Sequence, residues 1–169
     1  MFDFRKGEYG TITVEDCTVK GGRDCFRVDA SVKNDVLNVT NNLFDAPAPN
    51  GNGVFYLRST QNSVYRITNN LFINMTEGTN IFGKKDTNSK TPTQVSNNHF
   101  FNLKDGFWGG IIDEAAGTAG GGSVLAADPC ADAANGDYTL TDEALKKADV
   151  GPARWNPMSG QLRVKRGRR

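Results

Sequence analysis

Four residues recur at related places in the chain: Arg27, Tyr56, Phe82 and Trp108. Each sits in the middle of a short segment with apolar or small neighbours, as in Cys25-Phe26-Arg27-Val28-Asp29 and Val54-Phe55-Tyr56-Leu57-Arg58. Two residues further on stand Asp29, Arg58, Lys84 and Gly110. If these segments are strands with Phe26 and Val28, Phe55 and Leu57, Ile81 and Gly83, and Phe107 and Gly109 pointing inward, both sets point outward. A file of three aromatic rings beside charged groups is an unusual surface to leave in water. Sugars present apolar C–H faces together with hydroxyls, so Arg27, Asp29, Tyr56, Arg58, Phe82, Lys84 and Trp108 are the expected ligand-binding residues. The opposite expectation is a loop, such as residues 111–126, packed over the rings.

Other chemistry finds less support. A hydrolase of glycosidic bonds needs two facing carboxylates, and no convincing pair is present. The single histidine, His99, occupies a repeat position held elsewhere by Leu43 and Leu71, which points to a structural role. Cys17, Cys25 and Cys130 are odd in number and include no C-x-x-C, so they read as small buried apolar residues rather than as a disulfide framework or zinc site.

The elements that position these residues follow from an internal repeat. Val14, Val39, Ile67 and Val95 anchor four aligned segments spaced 25, 28 and 28 residues apart. Each continues into a matching pair or triplet, such as Asn41-Asn42-Leu43-Phe44, Asn69-Asn70-Leu71-Phe72 and Asn97-Asn98-His99-Phe100. Units of this length cannot bury an apolar face alone and must stack. Period-two alternation with β-branched residues indicates strands. Three short strands per unit predict an all-β right-handed parallel β-helix. The column Asn42, Asn70 and Asn98, with Cys17 in the same slot, is expected to face inward, each amide bonding its equivalent one coil away.

The Val/Ile-x-Asn-Asn-x-Phe recurrence resembles the right-handed parallel β-helix superfamily that includes pectate and pectin lyases. Phe2 to Gly10, Ala127 to Pro129, Ala134 to Leu140 and Val150 to Trp155 are similar to pectate-lyase-like domains of surface and secreted proteins in gut bacteria that use plant polysaccharides. The likeness covers about residues 2–155. It implies a secreted or cell-surface, carbohydrate-associated module with a polysaccharide or oligosaccharide partner. It also implies, as an alternative, a polysaccharide lyase. Such an enzyme would use Arg58 or Lys84 as base and Ca²⁺ held by acids, for which Asp29, Asp86 and Asp113 are the candidates. No compact acid cluster accompanies them, so the leading expectation is binding without catalysis and without a cofactor. A structural or adhesin-type solenoid is the third reading, since the repeat specifies fold better than function.

Organisation and charge complete the picture. Residues 1–126 are assigned to the coils, 127–157 to a short strand-and-helix cap of the same domain, and 158–169 to a basic tail read as disordered. In the cap, Tyr138 to Leu140 forms a strand. Thr141 to Ala148 begins with an N-cap candidate, carries acids first and lysines last, and is stopped by Gly151. This helix and Trp155 are expected to close the open end of the stack. No comparable cap precedes the first coil, and no apolar run of signal-peptide length opens the chain, so parent-protein domains and an export signal are expected N-terminal to Met1. Lys plus Arg is 20 and Asp plus Glu is 19, which argues against nucleic acid as a partner. No stretch approaches the length of a membrane span.

Overall fold

The computed structural model describes residues 2–22, 25–47, 54–58, 64–76, 93–103 and 122–159. Strand accounts for 55% of these residues and helix for 12%, so the described residues are mostly β, consistent with an all-β class. The first repeat contributes β1 (Phe2–Phe4), β2 (Gly7–Glu15) and β3 (Thr18–Lys20). The second contributes β4 (Phe26–Val28), β5 (Val32–Thr40) and β6 (Leu43–Asp45), and the third β7 (Phe55–Leu57), β8 (Val64–Thr68) and β9 (Leu71–Met75). Then come β10 (Thr93–Ser96), β11 (His99–Leu103) and β12 (Val124–Leu125).

The strands sort into three parallel sheets by their place in the repeat. The first sheet is β1-β4-β7, the second β2-β5-β8-β10, and the third β3-β6-β9-β11-β12. The register is that of the sequence repeat: Val14 pairs with Val39, Val39 with Ile67, and Ile67 with Val95.

Two features of the repeat have direct physical causes. Asp16, Asn41, Asn69 and Asn97 link the second sheet to the third with φ of 54°, 53°, 56° and 52°. Asn and Asp tolerate this left-handed conformation better than other side chains with a Cβ, which explains the first residue of each Asn pair. The second residue faces inward, as expected. Asn70 Oδ1 accepts from Asn42 N and Nδ2, both at 3.0 Å. Asn98 Oδ1 accepts from Asn70 N at 3.1 Å and Nδ2 at 2.9 Å. Cys17 takes the same slot, its N–H donating to Asn42 Oδ1 at 3.0 Å. Each asparagine also donates to a strand carbonyl, Val14, Val39 or Ile67.

The core is built from two stacks of rings. Phe2, Phe26 and Phe55 stack with centroids 4.9 and 5.0 Å apart, and Phe44, Phe72 and Phe100 at 4.9 and 5.2 Å. The stacks meet edge to face at 6.0–6.1 Å. Both geometries suit the ring quadrupole. Cys25 is buried here and Cys130 elsewhere, as expected; Cys17 is half-buried.

The C-terminal segment departs from expectation in its placement. It holds the hairpin β13 (Cys130–Asp132) and β14 (Asp137–Leu140), and the helix α1 (Glu143–Ala148). The N-cap is Asp142, whose side chain accepts from Leu145 N. The helix ends at Asp149, in the left-handed conformation, rather than at Gly151. The contacts of this segment are with the outer face of the third sheet across successive repeats, not with its last strand alone. Leu43, Leu71 and Ile73 form a second apolar cluster with Cys130, Tyr138, Leu140, Leu145 and Val150. Trp155 Nε1 donates to Thr18 Oγ1 at 2.8 Å, Ala153 N to Asp16 Oδ1 at 2.9 Å, and Gly151 N to Asn69 O at 2.9 Å. Asn41 Nδ2 donates to the Asp149 carbonyl. The third sheet therefore buries apolar residues on both faces, and the left-handed Asp/Asn corner doubles as the docking rail.

Candidate functional site

The outward residues of the first sheet form two files. Asp3, Arg27 and Tyr56 are register partners in one. Asp29 and Arg58 lie two residues further along, after β4 and β7, and Arg5 follows β1 in the same way. Alternation forces this arrangement, because Phe26, Val28, Phe55 and Leu57 are all buried. Chain connections hold the file in step: Asp29 N donates to Phe4 O at 2.9 Å and Arg58 N to Val28 O at 2.8 Å.

The side chains of the two files are tied together. Asp29 Oδ2 accepts from Arg27 Nη2 at 3.2 Å, and Asp29 Oδ1 from Arg58 Nη1 at 3.0 Å. The Ala30 backbone N–H also donates to Oδ1 at 2.9 Å. That N–H is the largest influence on the Asp29 carboxyl; burial, the next, opposes it, and the Arg27 hydrogen bond and the two guanidinium charges then add to it, so the carboxyl is held below the usual carboxylate range. Both guanidinium carbons sit over the Tyr56 ring, Arg27 at 5.5 Å and Arg58 at 5.4 Å from its centroid. This is cation–π geometry. The Asp29, Arg27 and Arg58 side chains remain partly exposed at 21%, 23% and 34%, so ligand can reach them.

Arg27, Asp29, Tyr56 and Arg58 are thus brought together as the repeat predicts, with one difference. The Tyr56 ring is engaged by cations rather than standing bare. Phe82, Lys84, Trp108, Asp86, Asp113 and residues 111–121 of the loop lie outside the described residues. The remainder of that loop carries β12, which pairs with β11 in the third sheet rather than packing over the first. Asp29, the remaining metal candidate, has its two oxygens committed to guanidinium groups. No group of three His, Cys, Asp or Glu residues able to hold a metal occurs among the described residues. Two members of the files were missed, Asp3 and Arg5, which hydrogen-bond each other at 2.8 Å. The signal was present: Phe2-x-Phe4 repeats the Phe26-x-Val28 and Phe55-x-Leu57 alternation.

The other side chains of chemical interest are placed by the third sheet. Asp45 is buried and accepts from Tyr138 Oη at 2.7 Å and Asn74 Nδ2 at 2.9 Å. Burial first, and then Asp128, Asp45 and Asp137, push the Cys130 thiol up to about 12, so it is inert near neutral pH. His99 pairs in register with Leu71, as its repeat position requires. No helix among the described residues is long and apolar enough to cross a membrane. No family model, curated protein or solved structure matches the chain.

Proposed function

We propose that the chain is a right-handed parallel β-helix of the pectate-lyase-like kind, and that its first sheet binds a polysaccharide without cleaving it. The fold reading is supported by three parallel sheets that each take one strand from successive repeats, and by the Asn and Phe columns that run between them. One observation carries the functional reading. Arg27 and Arg58 are fixed against Tyr56 by a shared carboxylate, in files that run from repeat to repeat. Guanidinium groups held this way present directed N–H donors with little further ordering cost, which is what affinity for hydroxyl- and carboxylate-bearing chains requires.

Binding is favoured over proton abstraction by the same contacts. Arg58 is bonded to Asp29 and faces an aromatic ring, so it serves as an anchoring charge. Asp29 serves the two arginines rather than a cation. On this reading the protein acts outside the cell or on its surface, with a plant-type polysaccharide as partner.

The test is retention in affinity electrophoresis against a panel of neutral and uronate-containing polysaccharides, with and without Ca²⁺. Arg27→Gln, Arg58→Gln and Tyr56→Ala should each reduce retention at unchanged fold. Ca²⁺-dependent growth of unsaturated-product absorbance would instead establish lyase activity. Retention of all three variants at the wild-type level would remove the first sheet as the binding face.

A further inference from the structure

A second polar constellation lies on the third sheet. Phe100 pairs in register with Val124, so Ser123 follows His99 in the outward file of that sheet. Gly122 follows Asn98 in the inward file, where any side chain would collide with the Asn98 carbonyl oxygen. This close approach seats Ser123 against the imidazole: its Oγ lies 3.0 Å from His99 Nδ1. The other ring nitrogen, Nε2, lies 2.8 Å from Asn97 Oδ1.

The protonation pattern follows from the neighbours. Asn97 Nδ2 donates to Asn69 Oδ1 at 2.8 Å, which fixes the amide and leaves its carbonyl oxygen facing His99. A carbonyl only accepts, so Nε2 carries the ring proton and Nδ1 holds the free lone pair. Ser123 then donates its hydroxyl proton to Nδ1. Nucleophile, base and orienting group stand in hydrogen-bond order, the arrangement that activates a hydroxyl. Ser123 is exposed and His99 is nearly buried, so a reactant can reach the oxygen while the base is held. Burial holds the imidazole below the usual histidine range, opposed in part by Asp142, and keeps it in the neutral form a base needs at neutral pH.

We propose that Ser123, His99 and Asn97 form a catalytic unit that transfers the acyl group of small carboxylic esters to water. Ser123 Oγ bonds to the ester carbonyl carbon as its proton passes to His99 Nδ1. The carbon–oxygen bond to the alcohol breaks, and that alcohol leaves with the proton from Nδ1. Water then attacks the acyl-serine, giving its proton to Nδ1. The carboxylic acid is released and the proton returns to Oγ. The net reaction is ester plus water to acid plus alcohol. Asn97 is a positioning residue, acting through the tautomer and orientation of His99. The site is separate from the first-sheet files and does not depend on the glycan reading.

The test treats the full chain with a fluorophosphonate reagent and with p-nitrophenyl acetate, locating any adduct by peptide mapping. One adduct on Ser123 is expected, with labelling and ester hydrolysis both lost in Ser123→Ala. His99→Asn should slow both about a hundredfold, the low end of what a general base supplies. The wild-type pH–rate profile should rise to a plateau with an inflection below the ordinary histidine value of about 6.5. Asn97→Asp, which places a carboxylate on the ring, should move that inflection upward and serves if His99→Asn fails to fold. Absence of a Ser123 adduct, or labelling independent of pH across this range, would overturn the proposal. So would wild-type rates in a folded His99→Asn.

Discussion

Asn70→Ala is the sharpest perturbation of the asparagine column. The Asn70 side chain makes four hydrogen bonds: Oδ1 accepts twice from Asn42, and Nδ2 donates to Asn98 Oδ1 and Val39 O. Truncation leaves the Asn42 backbone N–H buried without this acceptor, at about 1–3 kcal/mol. Asn42 Nδ2 keeps Val14 O and Asn98 Oδ1 keeps Asn70 N, so those losses are partial. Adding them and the void left by a fully buried amide gives a total of about 3–5 kcal/mol. That is a large share of the ~5–15 kcal/mol that stabilises a typical domain. The assay is urea unfolding at constant m-value, with Asn38→Ala as control. Asn38 is on the second sheet and its amide donates to Thr13 Oγ1, an exposed contact at 3.2 Å, so its loss should cost about 0.5 kcal/mol or less. An Asn70→Ala cost below about 1 kcal/mol, comparable to the control, would refute the ladder as a source of stability.

Further outcomes follow from the same structure. Cys17→Asn should extend the ladder, since Asn42 Oδ1 already accepts from the backbone at this slot; urea unfolding should show a gain of about 0.5–1.5 kcal/mol. Phe72→Ala, which breaks the ring stack between Phe44 and Phe100, should cost about 3–5 kcal/mol in the same assay. With a thiol reagent at pH 8, half-buried Cys17 should react first, while buried Cys25 and Cys130, its thiol pushed up to about 12, should react only on unfolding. His99 binds its proton less readily folded than unfolded. Its contribution to stability is therefore complete above the unfolded value of about 6.5 and falls as pH drops toward the lower folded value. A chemical-denaturation series from pH 7.5 to 5 should show this slope flattened in His99→Gln.

Much of the architecture was legible because the repeat is written in residue identity. The anchors Val14, Val39, Ile67 and Val95 became register partners, and the inward column Asn42, Asn70 and Asn98 was readable from its strict spacing. The role of the preceding residue was not. Asn41, Asn69 and Asn97 look like further members of a polar pair, and only backbone angles reveal the left-handed corner. The docking of the C-terminal segment was also hidden. Leu43, Leu71 and Ile73 lie on the face opposite Phe44 and Phe72, but a short apolar strand does not say what covers its second face. At the site, alternation placed Arg27, Tyr56, Asp29 and Arg58 correctly. It could not tell that the guanidinium groups would occupy the ring, because that depends on side-chain reach across neighbouring strands. Ser123 was overlooked because it lies beyond the aligned repeats, next to His99 in space and 24 residues away in sequence.

The most direct test of the account is affinity electrophoresis of the wild type and the Arg27→Gln/Arg58→Gln double variant through gels carrying the polysaccharide panel. The account predicts that at least one polysaccharide retards the wild type and that the double variant, folded to the same spectrum, migrates as in an empty gel. Retardation of both proteins to the same extent would contradict it.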